Sequence, residues 1–308
     1  MRIAALDLGS NSFHLLVADA HADGSFDPIV REKEMLRLGD SVASSGRISE
    51  EAADRAVDAV KRFRALAAAA EAEEFVAYAT SAIREAVNGP QLVERFRAEA
   101  GVKVHVIGGL EEARLIFGAV RASVLIDPGP AVCLDLGGGS LEIMVGDSTQ
   151  LLWCTSVKLG VARLTAELVR HDPPSGGDLR RLDERVRSVL GPITNRVRQL
   201  GPRALIGTSG TLTDLVRMAV AGEAGAIPPS TNQLSVGRVA LEAIHEELVR
   251  QPAADRRRIP GLDPRRAELA PAGSLLALVA MELFGFQELT AGHWALREGM
   301  VLDAIGHN

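Results

Sequence analysis

Leu6-Asp7-Leu8-Gly9-Ser10-Asn11-Ser12-Phe13-His14-Leu15-Leu16-Val17 and Leu134-Asp135-Leu136-Gly137-Gly138-Gly139-Ser140-Leu141-Glu142-Ile143-Met144-Val145 are two copies of one pattern. Each copy is an apolar run carrying an Asp near its end, a turn of small residues, and a second apolar run. That is a β-hairpin whose turn is built for close backbone approach. Tyr78-Ala79-Thr80-Ser81-Ala82 aligns on Ile206-Gly207-Thr208-Ser209-Gly210 at the same separation, so the repeat extends well beyond one turn. In both copies this second segment reads as a strand ending in a Thr-Ser turn that opens a helix.

The repeat predicts an α/β protein made of two duplicated domains, 1–126 and 127–308, with the boundary near Asp127-Pro128-Gly129-Pro130, where Pro and Gly punctuate the chain. Related halves place their Gly/Ser turns on either side of a pseudo-two-fold inter-domain cleft. Ser49 is positioned to cap a helix whose Val57, Val60, Phe63 and Ala67 recur at helical spacing. The C-terminal helical stretch, Ala295 to Ile305, is a candidate to pack back on the first domain.

Composition narrows the function. The 308 residues, 47% hydrophobic and 24% charged, are enough for two cores. With 34 Lys and Arg against 40 Asp and Glu the net charge is −6, the wrong sign for a chain that coats nucleic acid. Leu269 to Phe286 is apolar but broken by Pro271, Gly273 and Glu282, which predicts a buried helix rather than a membrane span. Cys133 and Cys154 lie in apolar runs and read as free thiols in a reducing compartment. The N-terminus enters a strand without a signal-like segment, so a cytoplasmic location is expected.

The turns Gly9-Ser10-Asn11-Ser12 and Gly137-Gly138-Gly139-Ser140 read as a pair of phosphate clamps, with peptide N–H groups converging on an anion and side chains adding donors. Asp7 and Asp135 at the strand ends would repel phosphate unless a hard cation intervened, which implies Mg²⁺; Glu142, on the returning strand, is within reach of the same ion. Glu111 and Glu112 begin a helix. Glu112 shares its face with Leu115, Ile116 and Ala119, so it points inward, where partial desolvation suits a general base. Arg84 reads as a cation at a helix start, disfavoured by the dipole and therefore suggestive of an anionic ligand. Ser209 and Gly210 form a further phosphate-binding turn; an anionic ligand would also account for Lys158 and Arg163, although alone they read as solvated cations, and His14 reads as a packed or hydrogen-bonded side chain. Walker, zincin and nucleophile-elbow motifs are absent.

Taken in order, Asp7–His14, Ala79–Ala86, Gly109–Leu115, Asp135–Glu142 and Gly207–Thr211 resemble the motifs of the exopolyphosphatase/guanosine pentaphosphate phosphohydrolase family over essentially the whole chain. The resemblance implies ribonuclease H-like domains of the acetate kinase, sugar kinase, Hsp70 and actin type. It also implies Mg²⁺-dependent release of orthophosphate from inorganic polyphosphate or from guanosine pentaphosphate. Glu112 matches the proposed base, Asp135 and Glu142 match carboxylates around metal and water, and Arg84 matches an arginine that holds substrate phosphate. Leu141 departs from the Thr of many members, and the C-terminal HD-type domain of many relatives is absent, so short or medium polyphosphate chains are the expected substrates. A second copy of the chain is a candidate partner; nucleic acid and membrane are not. The rivals are an ATP-dependent enzyme of the same fold and a non-catalytic polyphosphate or alarmone sensor.

Overall fold

The computed structural model describes residues 1–306 and divides the chain into two compact units. Unit 1 comprises Met1–Ala119 together with the chain from Trp294 onward; unit 2 comprises Val120–His293. The division falls inside a helix rather than at the Pro-Gly turn of 127–130, and the C-terminal helix belongs to unit 1. A proline-marked turn punctuates the backbone, but compactness is set by side-chain contacts, and the end of that helix packs with unit 2.

In unit 1, β1 (Arg2–Leu8), β2 (Ser12–Ala20) and β3 (Phe26–Met35) form an antiparallel meander. After α1 (Leu38–Ser45) and α2 (Glu50–Ala69), β4 (Glu74–Ala79) joins β1 in parallel. The short α3 (Ser81–Glu85) and α4 (Gly89–Ala100) lead to β5 (His105–Val106) and α5 (Gly109–Ser123). The sheet order is β3-β2-β1-β4-β5, that of a ribonuclease H-like domain. Its central strands are apolar on both faces because both are covered. Leu6, Leu8, Phe13 and Leu15 join a core with Val57, Val60 and Phe63 of α2 and Phe96 of α4. Helix α2 starts where Ser49 Oγ accepts the Ala52 N–H at 3.2 Å.

Unit 2 repeats the plan. It contains β6 (Ala131–Leu136), β7 (Leu141–Gly146), β8 (Leu151–Val157), α6 (Val161–Leu168), α7 (Gly176–Gln199), β9 (Ala204–Thr208) and α8 (Ser209–Ala224). There follow β10 (Ser235–Gly237), α9 (Arg238–Arg250), α10 (Ala253–Arg256), α11 (Ala270–Phe284) and β11 (Glu288–Ala291). The order β10-β11-β9-β6-β7-β8 contains the same five-strand core, with β10 added antiparallel at one edge. Every residue of β6 and β7 is buried, and α11, the apolar stretch that reads as a buried helix, lies among α7, α8 and α9. No helix among the described residues is long and apolar enough to cross a membrane. Cys133 is buried, Cys154 half-buried, and neither forms a disulfide.

The last helix, α12 (Leu296–Gly306), packs on β1 and β2 of unit 1. Its buried Glu298 accepts from Arg31 at 2.8 Å and from the Ala295 N–H at 3.0 Å. A Cβ on Gly299 would lie 2.2 Å from the Leu115 carbonyl oxygen, so this helix can approach α5 only with glycine there.

Candidate active site

The site is legible first in the two hairpin turns. In unit 2 the carbonyls of the 137–139 turn all point toward the start of α6. The N–H of Val161 donates to Gly137 O at 3.0 Å, those of Ala162 and Arg163 donate to Gly138 O at 3.0 and 3.1 Å, and Arg163 Nε donates to Gly139 O at 3.1 Å. In a trans peptide the C=O of one residue and the N–H of the next point in opposite directions. The N–H groups of Gly138, Gly139 and Ser140 are therefore directed away from α6, as an anion-binding nest requires. Unit 1 does the same on a smaller scale. Gly39 N–H donates to Ser10 O at 2.8 Å, and Leu36 and Arg37 N–H groups donate to Asn11 O at 3.0 and 2.9 Å, which aims the Asn11 and Ser12 amides the other way.

Close approach of α6 to the turn depends on Gly160. A Cβ there would lie 2.3 Å from Gly138 C and O and from Gly139 C, all backbone atoms that cannot swing aside. We expect Gly160→Ala to lose about 1–3 kcal/mol of stability and at least about tenfold in turnover by displacing the nest. Gly191→Ala, in the interior of α7 with open space around it, is expected to be neutral or stabilising by up to about 1 kcal/mol. Urea unfolding and phosphate release on both variants check this, and equal effects would refute it.

The side chains of the turns are largely committed within the protein. Ser10 Oγ accepts from Ala82 N–H at 3.0 Å, Ser12 Oγ pairs with His14 Nε2 at 2.7 Å, and Ser209 Oγ donates to Leu136 O at 2.8 Å. Asn11 Oδ1 is buried without a hydrogen-bond partner. Ser10 Oγ, which accepts here, keeps its own O–H to donate, so peptide N–H groups are joined by this hydroxyl as donors at the turn. Ser209 occupies the left-handed region at φ 68°, a conformation of order 1 kcal/mol above its alternatives, held by its bond to β6. Gly210 lies under Arg266, whose guanidinium donates to Gly210 O at 3.1 Å and to buried Asp214 at 2.8 Å. A Cβ at 210 would lie 1.8 Å from that guanidinium, so a side chain there would have to displace Arg266 from its present contacts.

Unit 1 brings Arg84 and Glu112 together. Glu112 is 6% exposed whereas its neighbour Glu111 is exposed, as the facing of the helix predicts. Arg84 Nη1 donates to Glu112 Oε2 at 3.2 Å and to Ile107 O at 2.7 Å. Arg84 does not lie at the start of a helix: α3 is five residues long and Arg84 is in its last turn, so the dipole argument for an anionic ligand fails and the pairing with Glu112 takes its place. His14, directly opposite Asp7 on β2, is hydrogen-bonded to Ser12 and to Arg297 at 3.3 Å.

Unit 2 brings Asp135 and Glu142 together as cross-strand partners on β6 and β7. They are 8% and 1% exposed. Like charges directly opposite in a sheet repel, and burial pushes the Asp135 carboxyl up to about 6 against the opposing effect of a hydrogen bond from Thr208. Such a pair fits a hard cation that takes one or two carboxylates and fills its other positions with water and substrate oxygens. Among the described residues no group of three or more Asp, Glu, His or Cys is arranged to hold a metal.

Residues 17–308 match the model of one family, described as the Ppx/GppA phosphatase family. The chain belongs to that family. As a Ppx/GppA phosphatase it is an enzyme that hydrolyses phosphate bonds. It is 36% identical to exopolyphosphatase 1 of Mycobacterium leprae over 99% of this chain and 90% of that one, and 34% identical to exopolyphosphatase 1 of Mycobacterium tuberculosis over 99% and 88%. Among solved structures, an exopolyphosphatase from Cytophaga hutchinsonii superposes with a TM-score of 0.93 at 30% identity, covering 100% of this chain and 98% of that one. The Ppx/GppA family member of Aquifex aeolicus gives 0.81 at 27% identity, covering 100% and 98%.

Sequence reasoning did not single out Gly160, Thr208, Ser156, Arg266 or Arg297, and it weighed Arg163 as an anion contact but favoured a solvated cation. For Arg163 the correction is direct: it reads as solvated but is half-buried against the Gly139 carbonyl. One signal was available, since Arg37-Leu38-Gly39 and Lys158-Leu159-Gly160 are a third repeated element, placed in both copies where a helix meets the turn.

Proposed function

We propose that this Ppx/GppA phosphatase is an exopolyphosphatase that removes the terminal phosphate of inorganic polyphosphate by direct attack of water. The observation that carries the reading is the buried Glu112 joined to Arg84 in unit 1. A guanidinium beside a carboxylate favours its charged form and lowers its basicity. Substrate phosphate would engage the Arg84 guanidinium, and Glu112, buried beside it, is placed to take a proton from water. Glu112 then accepts the proton of the attacking water; within unit 1 the peptide N–H groups of 11–12 with Ser10, and within unit 2 those of 138–140 with Ser140, Ser209 and Gly210, would hold phosphoryl oxygens. Asp135 and Glu142 would hold Mg²⁺, and Asp7 would bind its water ligands. Bound Mg²⁺ supplies positive charge that neutralises phosphate oxygens.

The test is orthophosphate release from polyphosphates of defined length, guanosine pentaphosphate and ATP, side by side in Mg²⁺ and in chelator. The expected outcome is the highest kcat/KM on polyphosphate and loss of activity in chelator. Preference for guanosine pentaphosphate would move the assignment to the other activity considered in this family, and preference for ATP, or tight polyphosphate binding without turnover, would overturn it.

A further inference from the structure

The register of the second sheet places four polar side chains in one row across four adjacent strands. Ser156 on β8 faces Glu142 on β7, Glu142 faces Asp135 on β6, and Asp135 faces Thr208 on β9. Around the two carboxylates β6 and β7 are buried throughout, whereas β8 is partly exposed. The two outer members are hydroxyls, and each donates to the carboxylate beside it: Ser156 Oγ to Glu142 Oε1 at 2.7 Å and Thr208 Oγ1 to Asp135 Oδ1 at 2.6 Å. Thr208 is 0% exposed, so its hydroxyl has no access to water.

This arrangement is particular to unit 2. Unit 1 has His14 opposite Asp7 and Tyr78, not a threonine, on the other side, although Thr80 is the sequence counterpart of Thr208. The Thr-Ser turns serve different ends in the two copies. In unit 1 the turn meets the hairpin through Ser10 Oγ and the Ala82 N–H. In unit 2 it turns its threonine hydroxyl onto the strand carboxylate.

We propose that Thr208 and Ser156 are positioning residues that bracket the Asp135–Glu142 pair from opposite flanks and hold both carboxylates in the orientation that receives the cation. The proposal rests on the reading of that pair as the Mg²⁺-holding carboxylates. The physical ground is that a carboxylate has a broad, roughly two-fold terminal torsion. One oxygen fixed by a short hydroxyl bond fixes the plane and hence the direction of the other oxygen. Two carboxylates so fixed from outside present a preset pair to an ion, whereas unbraced ones would rotate apart to lower their repulsion. Loss of such outer partners commonly costs 10- to 100-fold in metal affinity or activity.

The experiment uses the full chain with Thr208→Val, Thr208→Ser, Ser156→Ala and Asp135→Asn. Calorimetric titration with MgCl₂ in the absence of substrate, and kcat and KM for polyphosphate across a Mg²⁺ series, are both read. Valine keeps the shape and the β-branch, serine keeps the hydroxyl. We expect Thr208→Val to weaken Mg²⁺ binding about 10- to 100-fold and to lower kcat with KM for polyphosphate nearly unchanged at saturating Mg²⁺. Thr208→Ser should recover most of both, and Ser156→Ala should show a smaller effect of the same kind. In the Asp135→Asn background, Thr208→Val should add little. Wild-type Mg²⁺ affinity and kcat in Thr208→Val, with Asp135→Asn inactive, would overturn the bracketing role alone. Near-normal activity in Asp135→Asn would overturn the underlying assignment of the pair. Should Thr208→Val fail to fold by circular dichroism, the Ser156→Ala titration decides, and wild-type values there overturn the proposal.

Discussion

Glu112→Gln is expected to lower single-turnover hydrolysis on the order of 10²- to 10⁴-fold while leaving polyphosphate affinity nearly intact. Glutamine keeps the size of the side chain and an oxygen able to accept from Arg84 but cannot take a proton from water. Glu111→Gln, one residue away and exposed, is expected to change the rate by less than about threefold, within the range of neutral surface substitutions. Adjacent positions on one helix share backbone, capping and dipole, so the difference between the two variants isolates the inward-facing carboxylate. Were Glu112 to act only as an anchor for Arg84, its replacement would weaken substrate binding in step with the rate. Were it a metal ligand, added Mg²⁺ would restore part of the loss. Equal losses at 111 and 112 would remove the assignment of the base.

Asp135→Asn is expected to abolish turnover, by at least about 10²-fold, and yet to make the chelated protein more stable above pH 6. Burial holds the native carboxyl at about 6, above its ordinary 3.8, with the Thr208 hydroxyl opposing the rise. The folded state therefore binds this proton more tightly than the unfolded state does, and stability falls as pH rises from about 4 to about 6. Above that window the charged side chain costs about 3 kcal/mol at most, since each tenfold gain in proton affinity corresponds to about 1.4 kcal/mol. Asparagine has no charge to bury and still offers Thr208 an acceptor. Urea unfolding in chelator should show the variant more stable than wild type at about pH 8 and indistinguishable at about pH 4. A variant less stable at the higher pH would show that burial of the charge is not the governing cost. Added Mg²⁺ should stabilise wild type and not the variant.

Much of this was legible in the sequence because the repeat is a geometric statement. Two Asp-small-turn hairpins and two Thr-Ser turns at one separation prescribe two similar sheets, and β6 pairs with β7 in the register that places Asp135 opposite Glu142. Helical facing alone distinguishes Glu112 from Glu111. The misreadings have one cause: a sequence shows each residue beside its chain neighbours, whereas the partners of these residues lie far along the chain. Arg84 meets the helix that begins at Gly109, Arg163 reaches back to Gly139, and Arg266 covers Gly210 from more than fifty positions away. Nor could the direction of the turn carbonyls be read from Gly-rich composition, since it is imposed by the helix that abuts each turn.

The two sheets also differ in how their fourth-placed strand is set. Asp7 stands opposite Tyr78, whereas Asp135 stands opposite Thr208, whose counterpart Thr80 lies two positions beyond Tyr78. In a pleated sheet a slip of one residue would exchange every inward side chain for an outward one, but a slip of two restores each face. The difference between the two halves is thereby quantised: a strand can slide along its neighbour only in even steps without exchanging its core face. A single such step would deliver a hydroxyl to one carboxylate and withhold it from the other, giving twin lobes different duties with little change in composition.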